Sequence, residues 1–205
     1  MTEKADIPED ENAAIKPHYD LFFADMVTPC LRDEQGTMEF PFFSLEKKRR
    51  LKPIVYENNG VKIIVRGLTG IGIGTIWDAD FLIWAASQLN EARERGEEVS
   101  PRLWFKPHKF MVQTRRIDPG KNRKGGKNYK DFEMLLRRLQ GTSIETNIKA
   151  GGESITGAWS WIDSWQIHQD EKNKMVKWVE VTLADWFFRR IIKDISILAI
   201  SPDYF

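Results

Sequence analysis

The sequence predicts an α+β protein, and two observations carry that prediction. From Thr75 to Gly141 apolar residues recur every three or four positions, which is typical of amphipathic helices. After Gly141 apolar and polar residues alternate, which favours strands. A strand–turn–strand pattern around Asn58-Asn59-Gly60 adds an earlier β-hairpin. We therefore expect a helical centre with β structure before and after it.

Composition sets the class of protein. The chain has 205 residues, of which 41% are hydrophobic and 12% aromatic, enough to bury a core. No stretch of ~18 uncharged apolar residues occurs and the N-terminus is acidic, so we expect neither a membrane partner nor a signal peptide, and a cytoplasmic location. Cys30 is the only cysteine, which excludes an intrachain disulfide and suits a reducing compartment.

Catalytic and metal-binding patterns are missing from the sequence. His18, His108 and His168 are far apart and have no metal-ligand spacing, so we expect no metal. The glycines from Gly67 to Gly74 fit neither GxGxxG nor GxxxxGK[ST], so they predict a turn and no nucleotide cofactor. No paired carboxylates or nucleophile–base pattern occurs, and we expect a protein that is not an enzyme.

The N-terminal part combines an acidic arm with β structure. Residues 1–18 are acidic without apolar periodicity and are expected to form a disordered arm. Met38–Leu45 predicts an edge strand interrupted by Pro41. Ile54–Tyr56 and Val61–Arg66, both rich in β-branched residues, predict the hairpin.

Three helices follow, and the first has the clearest boundaries. Thr75 and Asp78 fit a helix-start pattern, and Gly96 is expected to end the helix. After a short strand at Leu103–Phe105, Pro107 opens a second helix that runs to about Arg116. The first helix is expected to bury Phe81, Leu82, Ala85, Ala86 and Leu89, and the second Phe110 and Met111.

The third helix, from about Lys127 to Gln140, completes a helix-turn-helix. Its predicted inward residues are Tyr129, Phe132, Leu136 and Leu139, and its predicted outward residues are Lys127, Lys130, Met134 and Arg138. Three strands are predicted next, forming one hairpin sheet, and then a fourth helix. The strands are Thr142–Ile148, Ser154–His168 and Val176–Leu183, and the helix is Ala184–Lys193. This order is that of a winged helix, here with an additional N-terminal β-hairpin.

Charge points to a polyanionic partner. From Arg115 to Arg138 the chain holds nine basic and three acidic residues, although its net charge is only +1. Such a basic loop and helix start is typical of a contact with DNA phosphates, although a solvated surface loop would give the same charge pattern. The predicted DNA-binding residues are Arg115, Arg116, Lys121, Arg123, Lys124, Lys127, Asn128, Lys130 and Arg138.

Other charges favour phosphate contact over base reading. Asp131 and Glu133 lie in the first turns of the third helix and repel DNA, and Arg137 is expected to pair with Glu133. The predicted wing tip, residues 170–174, is neutral. Trp159, Trp161 and Trp165 are expected on one strand face, either buried against the helices or forming a dimer surface.

Three separated blocks resemble the replication initiator protein A family of bacterial plasmids. They are TIWDADFLIWAASQL (Thr75–Leu89), GKNYK (Gly126–Lys130) and LRRLQGTSIETNI (Leu136–Ile148). The resemblance implies an initiator of two winged-helix domains that binds double-stranded DNA at repeated origin sites (iterons), forms homodimers and meets host replication proteins. It also implies that residues 19–200 form the first winged helix and that residues 201–205 begin a linker or second domain, which would read the bases.

The sequence therefore predicts the dimerising and phosphate-contacting domain of a plasmid replication initiator. One alternative is a winged-helix transcriptional regulator that uses the same basic helix to read an operator directly. Another alternative is a protein-interaction module without a role in DNA binding.

Overall fold

The computed structural model describes residues 21–24, 31–34, 38–46, 48–118, 126–147, 149–150, 153–154, 157–193, 197–201 and 203–205. The predicted acidic arm, residues 1–18, lies outside these residues. Three of the predicted DNA contacts, Lys121, Arg123 and Lys124, also lie outside them.

The described residues form an α+β structure, as the periodicities predict. The strands are β1 (Leu21–Phe23), β2 (Arg32–Glu34), β3 (Ile54–Asn58), β4 (Val61–Arg66), β5 (Arg102–Phe105), β6 (Ser143–Thr146), β7 (Lys149–Ala150), β8 (Glu153–Ser154), β9 (Gly157–Trp159), β10 (Ile162–Gln169), β11 (Val176–Leu183) and β12 (Ile197–Ala199). The helices are α1 (Ile76–Glu94), α2 (Pro107–Gln113), α3 (Gly126–Gly141) and α4 (Asp185–Ile192).

Helix α1 begins and ends where the sequence predicts. The carboxylate of Asp78 accepts hydrogen bonds from the backbone N–H of Thr75 at 2.7 Å and from its hydroxyl at 2.9 Å. At the other end Gly96 has φ +77°, and the next N–H, of Glu97, donates to the Ala92 carbonyl at 3.0 Å. All five apolar residues predicted to face inward from this helix are buried.

The first sheet has the strand order β1-β5-β11-β10. Strand β1 runs parallel to β5, and the other two pairs are antiparallel. Its inward face contributes Leu103, Phe105, Val179 and Val181 to the core, each at most 1% exposed. Helices α1 to α4 supply further large apolar side chains to the same core and therefore pack on this face of the sheet.

The second sheet, of order β3-β4-β6-β9, contains the predicted N-terminal hairpin. Asn59 and Gly60 have φ values of +47° and +78°, so the two-residue turn suits the right-handed twist of the strands. Strand β6 then pairs with β4 and β9. Two short ribbons, β2 with β12 and β7 with β8, complete the strand pairing of the described residues.

The prediction of one three-stranded sheet after the third helix was wrong in its pairing. The first predicted strand pairs with the N-terminal hairpin, whereas β10 and β11 pair with each other and, through β11, with β5. The predicted continuous strand Ser154–His168 is broken between β9 and β10. Its described parts, in β8, β9 and β10, belong to three different sheets.

Trp161 accounts for the break. Its side chain is completely buried and stacks on Phe43, with ring centroids 4.9 Å apart. Its backbone N–H donates to the Leu139 carbonyl, and its carbonyl accepts from the N–H of Ala184, so the backbone at this residue bonds to loop and helix groups. The three tryptophans predicted on one strand face are thereby separated, since Trp159 lies in the second sheet and Trp165 in the first.

The predicted edge strand Met38–Leu45 was also wrong. Phe42 and Phe43 are consecutive yet both buried, and both rings contact Trp161. A regular strand would send neighbouring side chains to opposite faces. Only one bridge, between Ser44 and Thr75, forms in this segment, so packing of the aromatic rings decides its course.

Two negative findings apply to the described part of the chain. No helix there is long and apolar enough to cross a membrane. No group of three or more histidine, cysteine, aspartate or glutamate side chains there is arranged to hold a metal ion.

Candidate nucleic-acid interface

Helices α2 and α3 carry the described part of the predicted DNA-contacting region. Pro107 occupies the first helical turn of α2, where its missing N–H costs nothing, and Phe110 and Met111 are buried as predicted. Helix α2 ends before Arg115, which has φ +52° and is exposed. This left-handed residue turns the chain away from the helix axis and presents its side chain to solvent.

Helix α3 is anchored by its apolar stripe. Phe132, Leu136 and Leu139 are buried as predicted, and Leu135, which the predicted stripe omits, is buried too. Tyr129 is half-buried, and burial raises the pKa of its hydroxyl above the ordinary 10.0. These inward residues fix which side of α3 remains open to a ligand.

Arg138, one of the predicted DNA contacts, forms a two-pronged ion pair with Asp78 of α1. Its Nε lies 2.6 Å from Oδ2 and one terminal nitrogen lies 2.7 Å from Oδ1. Asp78 is 1% exposed and also caps α1 through Thr75. The hydrogen bonds to Asp78 raise the pKa of Arg138. The guanidinium is therefore engaged within the protein and ties the C-terminal end of α3 to the start of α1.

Arg116, a second predicted contact, is held in a similar way. One of its terminal nitrogens lies 2.9 Å from Oδ2 of Asp80 and also donates to the Trp77 carbonyl. The guanidinium lies over the Phe110 ring, 5.4 Å from the centroid. Burial raises the pKa of Asp80 above its ordinary 3.8, although Arg116 acts in the opposite direction. This arginine fastens the end of α2 to α1.

Arg137 makes the ion pair that the sequence predicts. It approaches Glu133 at 2.7 Å and lies over the ring of Trp165, 5.4 Å from the centroid. The indole N–H of Trp165 donates in turn to the side-chain oxygen of Gln140 at 3.0 Å. These contacts connect α3 to β10 and neutralise one of the two acids near the start of the helix.

Three of the predicted cations remain without a carboxylate partner among the described residues. Arg115, Lys127 and Lys130 are exposed, and we call them the open cations. Lys127 and Lys130 lie in the first turns of α3, where unpaired backbone N–H groups and the helix dipole also favour an anion. The start of α3 is therefore the described part of this region best suited to phosphate.

A shallow cleft of about 210 Å³ lies between α2 and α3, next to the open cations. Asn128, another predicted contact, lines it together with Arg116 and Asp131. The carboxylate of Asp131 is exposed and opposes an anion at this point. Phosphate contact is therefore favoured at the open cations around the cleft more than inside it.

The turn between β10 and β11, residues 170–174, is compensated internally, in line with its neutral sequence. Asp170 lies 2.9 Å from Lys177 and accepts hydrogen bonds from the backbone N–H groups of Lys172 and Asn173. The side chains of Lys172 and Lys174 are exposed. This turn thus offers two lysines beside an acid that is already paired.

Comparison with known proteins identifies the family. Residues 32–205 match the family described as Replication initiator protein A. The chain belongs to this family. The resemblance of the three sequence blocks is thereby confirmed.

A curated relative agrees with the family, and two solved structures agree with the fold. A "putative replication protein" of Wigglesworthia glossinidia brevipalpis is 34% identical over 190 residues, which cover 91% of this chain and 66% of that protein. The chain thus spans about two thirds of that relative. Two crystal structures of domains 2 and 3 of RctB share the fold, with TM-scores of 0.51 and 0.50 and 9% identity. They cover 74% and 73% of this chain and 57% and 56% of the RctB chains.

In this family member, sequence reasoning did not foresee the acids that hold the arginines. The helix-start pattern identified Asp78 as a cap but gave no sign of its bond to Arg138, because the two residues are 60 positions apart. Asp80 is on the same turn, and its partner Arg116 is 36 positions away. Pairing over such distances requires knowledge of how the helices pack.

Proposed function

We propose that this chain is the DNA-binding and dimerising part of a plasmid replication initiator, with a winged-helix architecture. Residues 19–200 would form the first winged-helix domain, preceded by the arm at residues 1–18 and followed by a linker or second domain from residue 201. The proposal is for a binding protein without catalytic activity. Membership in the replication initiator protein A family supports the initiator role.

The observation that carries the winged-helix proposal is the strand order β5-β11-β10. The chain passes from α1 to β5, α2 and α3 before it reaches β10 and β11, and the last strand inserts between the other two. Helix, strand, two helices and a hairpin in this order match a winged helix in which α3 is the recognition helix. Strands β6 and β9 would then be an insertion between recognition helix and wing, paired with the N-terminal hairpin of β3 and β4.

In this proposal α3 touches the DNA backbone rather than the bases. The open cations Arg115, Lys127 and Lys130 support phosphate contact, together with the predicted loop residues Lys121, Arg123 and Lys124 and the amide of Asn128. Arg116 and Arg138 would act by holding α2 and α3 in place, since both already have carboxylate partners. Asp131 beside the open cations favours backbone contact over base reading.

A salt titration tests the proposal. The chain is mixed with labelled duplexes that carry the origin repeats of its replicon and with random duplexes of the same length, from about 50 to about 200 mM salt. We expect both to bind with a strong salt dependence of about 0.9 logarithmic units per phosphate contact. Replacing Lys121, Arg123, Lys124 and Lys127 by alanine should flatten the slope.

The other outcomes separate the alternatives. A strong preference for one duplex sequence by this chain alone would favour a regulator that reads an operator directly. A chain that sediments as a dimer and binds neither duplex would favour a protein-interaction module. An unchanged salt slope in the fourfold alanine variant would remove the loop and helix start from the proposed interface.

A further inference from the structure

We propose a second nucleic-acid site: the outward face of the first sheet binds single-stranded nucleic acid by stacking unpaired bases on its aromatic side chains. We call Phe23, Trp104, Trp178 and His168 the aromatic face. It lies on β1, β5, β11 and β10, the four strands of that sheet. The inference is independent of duplex binding at α3.

Strand register brings the four rings together. Phe23 is directly opposite Trp104, and His168 is directly opposite Trp178. Ring centroids are 6.4 Å apart for Phe23 and Trp104, 6.0 Å for Trp104 and Trp178, and 4.9 Å for Trp104 and His168. The rings therefore form one continuous aromatic surface across all four strands.

This surface lies apart from the hydrophobic core. Leu103, which precedes Trp104, and Val179, which follows Trp178, point inward and are completely buried. Trp104, Trp178 and His168 are only half-buried, and Phe23 is 44% exposed. A folded domain gains most by burying such large rings, so a contiguous outward group of them indicates a binding surface.

Charge on this surface favours an anionic ligand. The ammonium of Lys106 lies 5.0 Å from the ring centroid of Trp178 and has no carboxylate partner among the described residues. Arg102, on the same face, pairs with Glu180 at 2.6 Å, which cancels their charges and leaves Lys106 in excess. A cation beside stacked rings is the combination that a base followed by its phosphate requires.

The polar positions of this face favour a nucleic-acid strand over a second protein surface. Gln166 is opposite Glu180, and the hydroxyl of Ser164 donates to that of Thr182 at 3.1 Å. Around the rings the face is therefore polar, whereas the centre of a protein interface is largely apolar. A duplex is disfavoured as well because its base faces are hidden by stacking on each other.

The test uses a fluorescein-labelled strand of twelve thymidines and fluorescence anisotropy with the full chain. We expect the wild type to bind it, Trp178→Ala to weaken binding about tenfold, and Trp178→Phe to retain most of it because a ring remains. Lys106→Ala should reduce the salt slope by about 0.7 logarithmic units. Trp77→Ala, at a 43% exposed tryptophan of α1, and Lys48→Ala, at an exposed lysine, are the matched controls.

Circular dichroism of each variant separates loss of binding from loss of folding. A wild type that fails to bind the strand overturns the proposal, and so does an equal loss in Trp178→Ala and Trp77→Ala. A wild-type dimer that Trp178→Ala converts to a monomer, with strand binding unchanged, would assign the face to self-association instead. Duplex binding should be the same in Trp178→Ala and wild type. Failure of the single-strand proposal is therefore distinguishable from failure of the duplex proposal.

Discussion

The two ends of α3 are both basic, yet their cations have different surroundings. At the C-terminal end Arg138 is bound to the buried Asp78, and Arg137 is bound to Glu133 and covers Trp165. At the N-terminal end Lys127 and Lys130 are exposed and have no carboxylate partner among the described residues. A helix with basic residues at both ends in sequence is thus divided into an end that serves the structure and an end available to a ligand.

Burial of the partner acid explains the difference. A carboxylate that is 1% exposed, like Asp78, has lost its water and needs a cation close by, so it binds the arginine that packing brings to it. The lysines at the start of α3 face solvent, where pairing gains little. This division of α3 leads to three predictions, which begin with its C-terminal end, and a fourth prediction concerns the turn after β10.

Removing Asp78 should have the largest effect on stability. Asp78→Ala leaves Arg138 partly buried without its hydrogen-bonded carboxylate and removes the cap of α1. We expect the free energy of unfolding to fall by about 3–5 kcal/mol, measured by urea denaturation.

Glu133→Ala is the matched control, because it removes an acid of α3 whose pair with Arg137 is exposed. It should cost less than about 1 kcal/mol. Equal losses of unfolding free energy in the two variants would contradict the division of α3 into a buried, ion-paired end and an exposed end. A chain that carries Asp78→Leu and Arg138→Leu together should recover part of the stability, since no unpaired charge remains.

Substitutions at the N-terminal end of α3, which carries the open cations Lys127 and Lys130, should weaken DNA binding and leave stability nearly unchanged. Lys127→Ala together with Lys130→Ala removes up to two phosphate contacts, so the salt slope should fall by up to about 1.8 logarithmic units, at about 0.9 per contact. Fluorescence anisotropy with a random duplex measures the slope. Lys48→Ala with Lys193→Ala, two exposed lysines elsewhere, is the control pair. Parallel slopes in both double variants would place the phosphate contacts elsewhere.

Arg137 provides an intermediate case. Its side chain is 47% exposed, but it both pairs with Glu133 and covers the Trp165 ring. Arg137→Ala should lower the free energy of unfolding by about 0.5–1 kcal/mol and increase solvent access to Trp165. Arg137→Lys keeps the charge but loses the planar group, so its free energy of unfolding should lie between those of the wild type and Arg137→Ala. Iodide quenching of tryptophan fluorescence measures the access, and no change in quenching would mean that the ring is already open to solvent.

Local patterns in the sequence were sufficient for the helices, the hairpin and the turn at Gly67–Gly74. The capping pattern at Thr75 and the left-handed Gly96 act within a few residues, so their effect can be deduced without the fold. The sheets could not be deduced in this way. Whether β6 pairs with β4 or with a later strand depends on long-range packing, and alternation of residues is the same in both cases.

The two proposed binding surfaces differ in the same way in how far the sequence could predict them. The basic stretch identified the region around α3, but alternation within β5 and β11 did not show that Trp104 and Trp178 would meet. No sequence motif surrounds either tryptophan, and the two strands are far apart in the chain. Only the register of β5 against β11 brings these rings to one face, so sequence patterns could find the first surface and could not find the second.

The smallest predicted effect concerns the turn after β10. Its acid Asp170 is paired with Lys177, just as Arg138 at the C-terminal end of α3 is paired with Asp78. The hydrogen bond from Lys177 lowers the pKa of Asp170 below its ordinary 3.8, and the backbone N–H groups of Asn173 and Lys172 add to this. The ionised carboxylate therefore stabilises the fold above pH 3.8, and this contribution is lost as the pH falls through the lowered pKa.

In an NMR titration Asp170 should titrate below 3.8, and Lys177→Met should move its pKa upward. Lys174→Met, which removes a neighbouring exposed lysine, should leave the pKa nearly unchanged, because an exposed charge without a hydrogen bond is screened by solvent. Equal shifts in the two variants would mean that the general charge of the turn, and not the bond to Lys177, sets the pKa.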